Sequence, residues 1–218
     1  MEDTETHPTS PDRVGLYDLA TEQMGYFTVG QAAGSGYTRS LLSYHAKRGN
    51  IQRVHHGVYR FRDYPPSPRE DVVAAWLAVG KDVAVVSHET ALDLWDISDV
   101  VPNAVHLTVP RVQRSLARRP PPGTVVHTTL RPWRDGDIRT REGIRVTSPG
   151  RTILDAAEAG TQPEQVAMAI AEANRRGRLD AGRLRADAQA RGQRVADLVD
   201  RALRSSVAPI EHEATPRP

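Results

Sequence analysis

Polar and basic side chains recur at helical spacing between residues 38 and 48. Arg39, Ser43 and Lys47 occupy positions i, i+4 and i+8, which places them along one face of a helix. Leu42 lies on the opposite face, where it can pack against a core. A helix divided in this way can enter the major groove of DNA, where each base pair presents its own pattern of donors and acceptors.

Individual side chains on this helix suit different contacts. Arg39 stands near the amino end and matches the edge of a guanine, which a guanidinium can bind through two hydrogen bonds. Lys47, Arg48 and Tyr44 are placed for phosphate contacts, which position a protein on DNA without reading its sequence. The predicted DNA contacts on this helix are Arg39, Ser40, Ser43, Tyr44, Lys47 and Arg48.

A hairpin is predicted directly after this helix. Residues 51–54 and 58–62 are predicted to form two short strands, and Gly57 supplies the backbone freedom of the turn between them. Such a hairpin can follow the DNA backbone or enter the minor groove, where arginine reads groove width. Adjacent histidines in a strand point to opposite faces, so no shared metal site is predicted. The predicted DNA contacts on the hairpin are Arg53, His55, His56 and Arg60.

The preceding elements would position this helix and hairpin. A helix is predicted over residues 13–23, and Thr28 with Gln31 forms a capping-box pattern at the start of a short second helix. A glycine turn over residues 34–36 then leads to the polar helix. Helix, short helix, turn, helix and hairpin is the order of a winged helix-turn-helix, which we assign to residues 12–63.

Charge is distributed unevenly along the chain. The formal net charge is +2, but residues 23–62 contain no Asp or Glu and carry +6. Residues 100–134 also contain no acid and carry another +6, which leaves −10 on the rest of the chain. Two basic blocks suggest two surfaces that face polyanions, although arginine-rich composition alone could also produce them.

The second basic block contains a candidate surface of its own. It could extend the DNA contacts, bind RNA or contact an acidic partner, and a simple solvated segment is an equally good interpretation. If the segment is helical, its arginines form one ridge, and if it is a loop, they form a flexible arm. The residues of this second basic surface are Arg111, Arg114, Arg118 and Arg119.

Several classes of site are excluded by the sequence. The chain of 218 residues has no cysteine, which excludes a disulfide scaffold, a thiolate metal site and a cysteine nucleophile. It has neither a phosphate-binding loop nor a dinucleotide-binding glycine pattern. Ser87, His88 and Glu89 are sequence neighbours and cannot converge as a catalytic triad, so Ser87 is interpreted as a helix cap. We therefore predict a protein that is not an enzyme and has no cofactor and no metal.

The start of the chain is acidic and polar, which does not fit a signal peptide, and no apolar run is long enough to cross a membrane. We therefore expect a soluble cytoplasmic protein.

The sequence predicts an α+β fold with two domains. A polar tail over residues 1–11 precedes the winged helix-turn-helix, and the proline-rich residues 64–68 form a linker. Residues 69–206 form a mixed α/β domain that ends in a helical segment, and residues 207–218 are a second tail. Ser67 with Glu70 is predicted to begin the first helix of the second part of the chain. Arg151 and Asp155, at i and i+4 of a later helix, are predicted to form a structural ion pair worth a few tenths of a kcal/mol.

The order of these motifs resembles the AbiEi-type antitoxins of type IV toxin–antitoxin and abortive-infection systems. Residues 27–34, 41–49 and 51–60 resemble the amino-terminal winged helix of that family, and residues 86–95 and 144–155 resemble two later strand-to-helix segments. Together with the helical end, the resemblance extends over about residues 12–206. Each motif is moderately specific, and their order carries the resemblance.

The resemblance implies a transcriptional repressor that binds inverted repeats in its own promoter. It also implies that the carboxy-terminal antitoxin-like domain counteracts a co-encoded nucleotidyltransferase-like toxin without a stable complex. Binding to inverted repeats needs two copies on the DNA, and a monomer in solution is compatible with this. Two alternatives stay open at this point, namely an orphan regulator without a toxin and a winged-helix protein with a nuclease-like domain.

Overall fold

The computed structural model describes residues 10–117 and 119–206. Over these residues the protein is a mixed α+β structure with two β-sheets. It divides into two compact units. Unit 1 contains the described residues up to Val86 together with Asn103–Val146, and unit 2 contains Ser87–Pro102 and the described residues from Thr147 onward.

The three helices and the hairpin in the first part of unit 1 follow the predicted order, and β1 is an additional strand that was not predicted. A three-stranded antiparallel sheet has the order β1-β3-β2, with Phe27 opposite Tyr59 and Arg53 also opposite Tyr59 on the other side. The elements are α1 (Arg13–Thr21), β1 (Tyr26–Thr28), α2 (Val29–Gly34), α3 (Arg39–Lys47), β2 (Ile51–His55) and β3 (Val58–Phe61).

Side-chain caps fix where these helices begin. The Asp12 carboxylate accepts a hydrogen bond from the Gly15 amide at 2.8 Å at the start of α1. Thr28 accepts from the Gln31 amide at 3.1 Å, while the Gln31 side chain accepts from the Thr28 amide at 2.8 Å. This confirms the capping box predicted for α2, and Thr38 caps α3 in the same manner at 3.1 Å.

A small aromatic core holds α1, α2 and α3 against the three-stranded sheet. Phe27 lies at its centre, with its ring centroid 5.0 Å from that of Phe61 and 6.0 Å from that of Tyr59. Leu42 is the buried side chain of α3, which leaves the opposite face of that helix in solvent. The buried residues of this core are Leu16, Ala20, Phe27, Ala32, Tyr37, Leu42, Ile51, Tyr59 and Phe61.

The remainder of unit 1 contains a five-stranded mixed sheet of order β6-β5-β4-β8-β7. Strand β5 is antiparallel to β4 and parallel to β6, and β4 is parallel to β8. The elements are α4 (Glu70–Val79), β4 (Val85–Val86), β5 (Val105–Pro110), a 3-10 helix (Arg111–Ala117), β6 (Thr124–Thr129), β7 (Ile138–Arg141) and β8 (Ile144–Thr147).

The predicted capping box at Ser67 is wrong in its placement. Helix α4 begins at Glu70, and Arg69 occupies its N-cap position without a side-chain hydrogen bond. The Glu70 carboxylate does accept from the Ser67 amide at 3.0 Å, but the Ser67 hydroxyl accepts from the Arg69 amide instead of the Glu70 amide. Residues 68 and 69 therefore form a turn before the helix.

Unit 2 is helical over its described residues. It contains α5 (His88–Trp95), α6 (Pro149–Ala159), α7 (Pro163–Arg175), α8 (Ala181–Gln189) and α9 (Gln193–Ser205). Ser87 occupies the N-cap position of α5, but the predicted cap by its hydroxyl is wrong, because that oxygen pairs with Nδ1 of His88 at 2.8 Å. The Trp95 indole donates to the Thr147 carbonyl at 2.7 Å and links α5 to the start of the second segment of this unit.

The structural ion pair predicted between Arg151 and Asp155 is present, and it is buried. Nε of Arg151 lies 2.9 Å from both carboxylate oxygens of Asp155, and Arg191 contacts the same carboxylate at 2.7 Å. All three side chains are at least nine-tenths buried. The cluster links α6 to the chain beyond α8, and removing one partner would leave a buried charge uncompensated.

Two further expectations concern the boundaries of the chain. Residues 1–9 and 207–218, most of the two predicted tails, lie outside the described residues. The predicted linker over residues 64–68 lies inside unit 1, so a domain boundary at that position stays a prediction. No helix among residues 10–117 and 119–206 is long and apolar enough to span a bilayer.

Candidate nucleic-acid interface

The exposed face of α3 carries the residues that were predicted to contact DNA. We call Arg39, Ser40, Ser43, Tyr44, Lys47 and Arg48 the α3 surface, and all six are exposed. Thr38 fixes the start of the helix, and the burial of Leu42 fixes its rotation about its own axis. The α3 surface therefore has a defined direction relative to the core.

Within residues 10–117 and 119–206, no acidic side chain neutralises the cations of the α3 surface. Among the described residues, none of Arg39, Lys47 and Arg48 forms an ion pair. The guanidinium of Arg48 lies 5.2 Å from the centroid of the Tyr44 ring, whose side chain is 49% exposed. An aromatic ring beside free cations suits a polyanion, because the ring orients the guanidinium while its charge stays available.

The β2–β3 hairpin brings a second group of predicted residues together. Nη2 of Arg53 lies 3.2 Å from Nδ1 of His56, and both side chains are exposed. His55 is half-buried at the end of β2, beside an irregularity in the register. The carbonyl of Gly57 in the turn accepts from the Val29 amide at 2.9 Å, which fixes the hairpin tip beside the start of α2.

Arg60 is placed differently from the other predicted residues. Its guanidinium is 12% exposed and donates to the Glu70 carboxylate at 2.7 Å, to the Tyr64 carbonyl at 2.9 Å and to the Pro65 carbonyl at 3.1 Å. The acid that neutralises it lies outside the acid-free block, so the charge pattern could not reveal this contact. We therefore leave Arg60 out of the candidate DNA surface.

Arg60 instead forms a polar cluster with Tyr26 and Glu70, which links the three-stranded sheet to α4. The Tyr26 hydroxyl lies 3.3 Å from the Glu70 carboxylate, and the Arg60 guanidinium lies 5.6 Å from the Tyr26 ring centroid. Burial, together with the nearby Glu70 charge, raises the pKa of Tyr26 to about 12. This phenol therefore stays protonated at neutral pH and can donate to Glu70.

The predicted second basic surface lies on and after the 3-10 helix that follows β5. Arg111, Arg114 and Arg119 are exposed, whereas Arg118 lies outside the described residues. A 3-10 helix has three residues per turn, so Arg111 and Arg114 share one side of it. Of the helix and the loop considered for this segment, the structure shows a 3-10 helix up to Ala117, and its role as a binding surface stays a prediction.

A pair of histidines on β5 and β6 was not predicted from the sequence. Nδ1 of His106 lies 3.0 Å from Nε2 of His127, and their rings stack with centroids 5.2 Å apart. The parallel register places His106 opposite Val125 and His127 opposite Thr108, so the two imidazoles meet diagonally across one face of the sheet. Only the pairing of two strands distant in sequence makes them neighbours.

Comparison with known proteins gives a family for the first part of the chain. Residues 16–62 match the model of a family described as "Transcriptional regulator, AbiEi antitoxin". The match extends from within α1 to the end of the hairpin and confirms the AbiEi resemblance over these residues. It covers less than half of the chain, and no curated protein matches the sequence.

A solved structure resembles the chain over most of its length. It is the crystal structure of the RV2827C protein from Mycobacterium tuberculosis, with a TM-score of 0.57 and 15% sequence identity. The similarity covers 89% of this chain and 76% of that chain. At this identity it shows a related fold and no more.

Proposed function

We propose that the protein is a DNA-binding transcriptional repressor and the antitoxin of a type IV toxin–antitoxin system. The observation that carries the proposal is the α3 surface inside the segment that matches the AbiEi family: it is exposed and cationic, and its cations form no ion pair within the described part of the chain. In this proposal residues 12–63 act as a winged helix-turn-helix, with α3 in the major groove and the β2–β3 hairpin as the wing.

The α3 surface divides into reading and positioning roles. Arg39 at the amino end of α3 reads a guanine edge, with Ser40 and Ser43 beside it as smaller hydrogen-bonding groups. Tyr44, Lys47 and Arg48 bind phosphates further along the helix. On the hairpin, Arg53, His55 and His56 follow the adjacent backbone or minor groove.

The proposed targets are inverted repeats in the promoter of the protein's own operon. A symmetric repeat needs two chains, one on each half-site, and this does not require a dimer before binding. Repression follows because a bound pair of chains occupies the promoter.

The antitoxin part of the proposal concerns residues 69–206. These residues counteract a co-encoded nucleotidyltransferase-like toxin without a stable complex, and the protein itself is not an enzyme. This part of the proposal rests on the AbiEi resemblance of the sequence, since the family match covers residues 16–62 alone.

DNA binding is tested with the purified full-length protein and a labelled fragment of its promoter. We expect binding to weaken steeply with salt, because each neutralised phosphate releases counterions and contributes a slope of about −0.9 in log K against log salt concentration. Lys47→Ala should reduce that slope by about 1 and weaken binding to all duplexes to a similar degree. Arg204→Ala, which removes an exposed arginine from α9, is the matched control and should leave the slope unchanged.

Binding that does not depend on salt would contradict the proposed interface. So would an equal loss of DNA affinity in the Lys47→Ala and Arg204→Ala variants. A footprint that protects no inverted repeat in the promoter would contradict the repressor assignment even if the protein binds DNA.

The two alternative functions are separated by different experiments. Cleavage of the promoter fragment in the presence of Mg²⁺, abolished by EDTA and absent from a mock purification, would support a nuclease and contradict a repressor without catalytic activity. Expression of the neighbouring gene alone should arrest growth, and co-expression of this protein should restore it. Absence of a toxic neighbour would support the orphan regulator.

A further inference from the structure

Strand β6 is the outer strand of the five-stranded sheet and pairs with β5 alone among the described strands. The Val105 amide donates to the Gly123 carbonyl at 2.8 Å, which fixes the phase of the parallel ladder. In a parallel ladder alternate residues of each strand bond to the neighbour, so Val125 and His127 face β5 with their backbone groups. The amides and carbonyls of Val126 and Thr128 therefore point away from the sheet.

Basic residues stand at one end of this edge. Pro110 is opposite Thr129 in the parallel register, so the chain leaves β5 and β6 at the same end of the sheet. There it continues as Arg111 on one side and Leu130 and Arg131 on the other. Arg111 and Arg114 are exposed and, within the described part of the chain, form no ion pair. Residues 100–134 contain no acid that could neutralise them.

Apolar side chains are exposed beside the same strand. Val112 on the 3-10 helix is 91% exposed, Leu130 directly after β6 is 78% exposed, and Val125 within β6 is 41% exposed. An open strand edge with exposed apolar residues would invite unwanted pairing unless its use is controlled. Here exposed arginines flank the edge, and their charge disfavours the approach of other cationic segments.

We infer that this edge, formed by β6 with Arg111, Arg114, Val112 and Leu130, docks an acidic, extended segment of a partner protein. The segment adds as a sixth strand, and its backbone pairs with the outward amides and carbonyls of Val126 and Thr128. Its carboxylates meet Arg111 and Arg114, and its apolar side chains cover Val112 and Leu130. The inference concerns a different surface from the α3 surface and does not depend on DNA binding.

The observations favour this occupant over two others. A second copy of the chain on the same edge would offer no carboxylate to Arg111 and Arg114 from its own edge segment, because residues 100–134 contain no acid. A nucleic acid could bind the arginines through its phosphates. It would leave the exposed valine and leucine uncovered and the outward backbone groups of β6 without a strand to pair with.

The experiment selects binders from a phage-displayed library of random peptides on the immobilised full-length protein. We expect enrichment of peptides that combine Glu or Asp with β-branched residues. Their affinity should fall about tenfold or more for the double variant Arg111→Glu/Arg114→Glu, because each reversal replaces attraction with repulsion. Arg201→Glu/Arg204→Glu, which has the same i, i+3 spacing on exposed positions of α9, is the matched control and should bind normally.

Strand addition has its own readout in the unaltered protein. Hydrogen exchange of the Val126 and Thr128 amides should slow when an enriched peptide binds. Two N-methylated forms of the peptide, one methylated at its odd and one at its even residues, test the direction of pairing. Only the form whose methylated amides face β6 should fail to slow the exchange, because alternate amides of a strand point to opposite sides.

No enrichment of acidic peptides, equal binding to both double variants, or unchanged exchange of the two amides would overturn the inference. Loss of promoter binding in the Arg111→Glu/Arg114→Glu variant without any peptide binding would assign the surface to nucleic acid instead.

Discussion

Single side chains determine whether α3 reads a sequence or only holds a backbone. Arg39 and Lys47 share the exposed face of this helix, but Arg39 lies at its amino end and Lys47 at its carboxy end. A guanidinium can form two hydrogen bonds with one guanine, whereas an ammonium acts as a point charge. The two cations should therefore contribute differently to specificity.

For Arg39→Ala we expect a loss of about 1–3 kcal/mol in binding free energy at the cognate site, since a bidentate base contact disappears. Binding to an unrelated duplex should change far less. Fluorescence anisotropy titrations give the dissociation constants for the cognate and the unrelated duplex and so the ratio of the two, with Arg204→Ala as the control. Equal losses on the two duplexes would show that Arg39 contacts phosphate and reads no base.

Glu172 in unit 2 supplies a prediction about pH. Hydrogen bonds from Arg175 and then Arg176 lower the pKa of Glu172 from its usual 4.5 to about 2, and Arg176 also reaches Asp96 after α5. A carboxyl group whose pKa is lower in the folded state stabilises the protein above the pKa of the unfolded chain. That contribution is lost as the pH falls from about 4.5 through about 2.

Glu172→Gln should therefore lower the melting temperature at neutral pH. The difference from the wild-type protein should shrink as the pH falls below about 4.5, because the wild-type carboxylate becomes protonated. Thermal unfolding followed by circular dichroism over a pH series measures this, with Gln189→Glu as an exposed control on α8. A difference that persists undiminished towards pH 2 would refute the assigned role.

At the scale of elements, the turn between β7 and β8 is fixed by its close approach to the end of α1. Glu142 and Gly143 both have positive φ, at 51° and 78°, as the two-residue turn of a twisted hairpin requires. A Cβ atom on Gly143 would lie 2.6 Å from the Glu22 carbonyl oxygen. Glu142 also pairs with Arg69 at 3.3 Å, so the turn meets two other parts of unit 1.

Gly143→Ala should destabilise the protein by about 1–3 kcal/mol more than a glycine replacement in open space, because backbone atoms must move to admit the methyl group. Gly123→Ala is the matched control in the same unit, since its φ is +72° and no atom lies within 4 Å of the added Cβ. Urea unfolding of both variants gives the comparison. Equal free energies of unfolding for the two variants would mean that the turn between β7 and β8 admits the methyl group without destabilising the protein.

At the scale of the whole molecule, the proposal requires two chains on one operator. A monomer and a preformed dimer are both compatible with this requirement, and only the DNA complex distinguishes one bound chain from two. We expect two chains on a full inverted repeat and one on an isolated half-site, with half-site centres spaced by about one helical turn or a multiple of it.

Light scattering of the complexes, separated by size exclusion, measures this stoichiometry. A duplex with one scrambled half-site is the control and should carry one chain. One chain on the intact repeat would contradict the proposed mode of operator binding.

The sequence by itself determined the three helices and the hairpin of the first part of the chain and the exposed face of α3, whereas β1 emerged only from its pairing with β3. Capping residues such as Thr28 act on neighbouring amides, and the burial of Leu42 opposite Arg39 follows from helical periodicity, so local physics was sufficient. The family match over residues 16–62 agrees with that prediction.

Only the tertiary structure decided which charged side chains are exposed for binding a partner and which form ion pairs within the protein. Arg60 belongs to the basic block in sequence, but Glu70 on α4 binds it. Arg151 and Asp155 have the spacing of a surface pair, but packing buries them with Arg191. His106 and His127 meet because two strands pair in parallel register. Each outcome depends on contacts between residues distant along the chain, whose burial and desolvation no local pattern records.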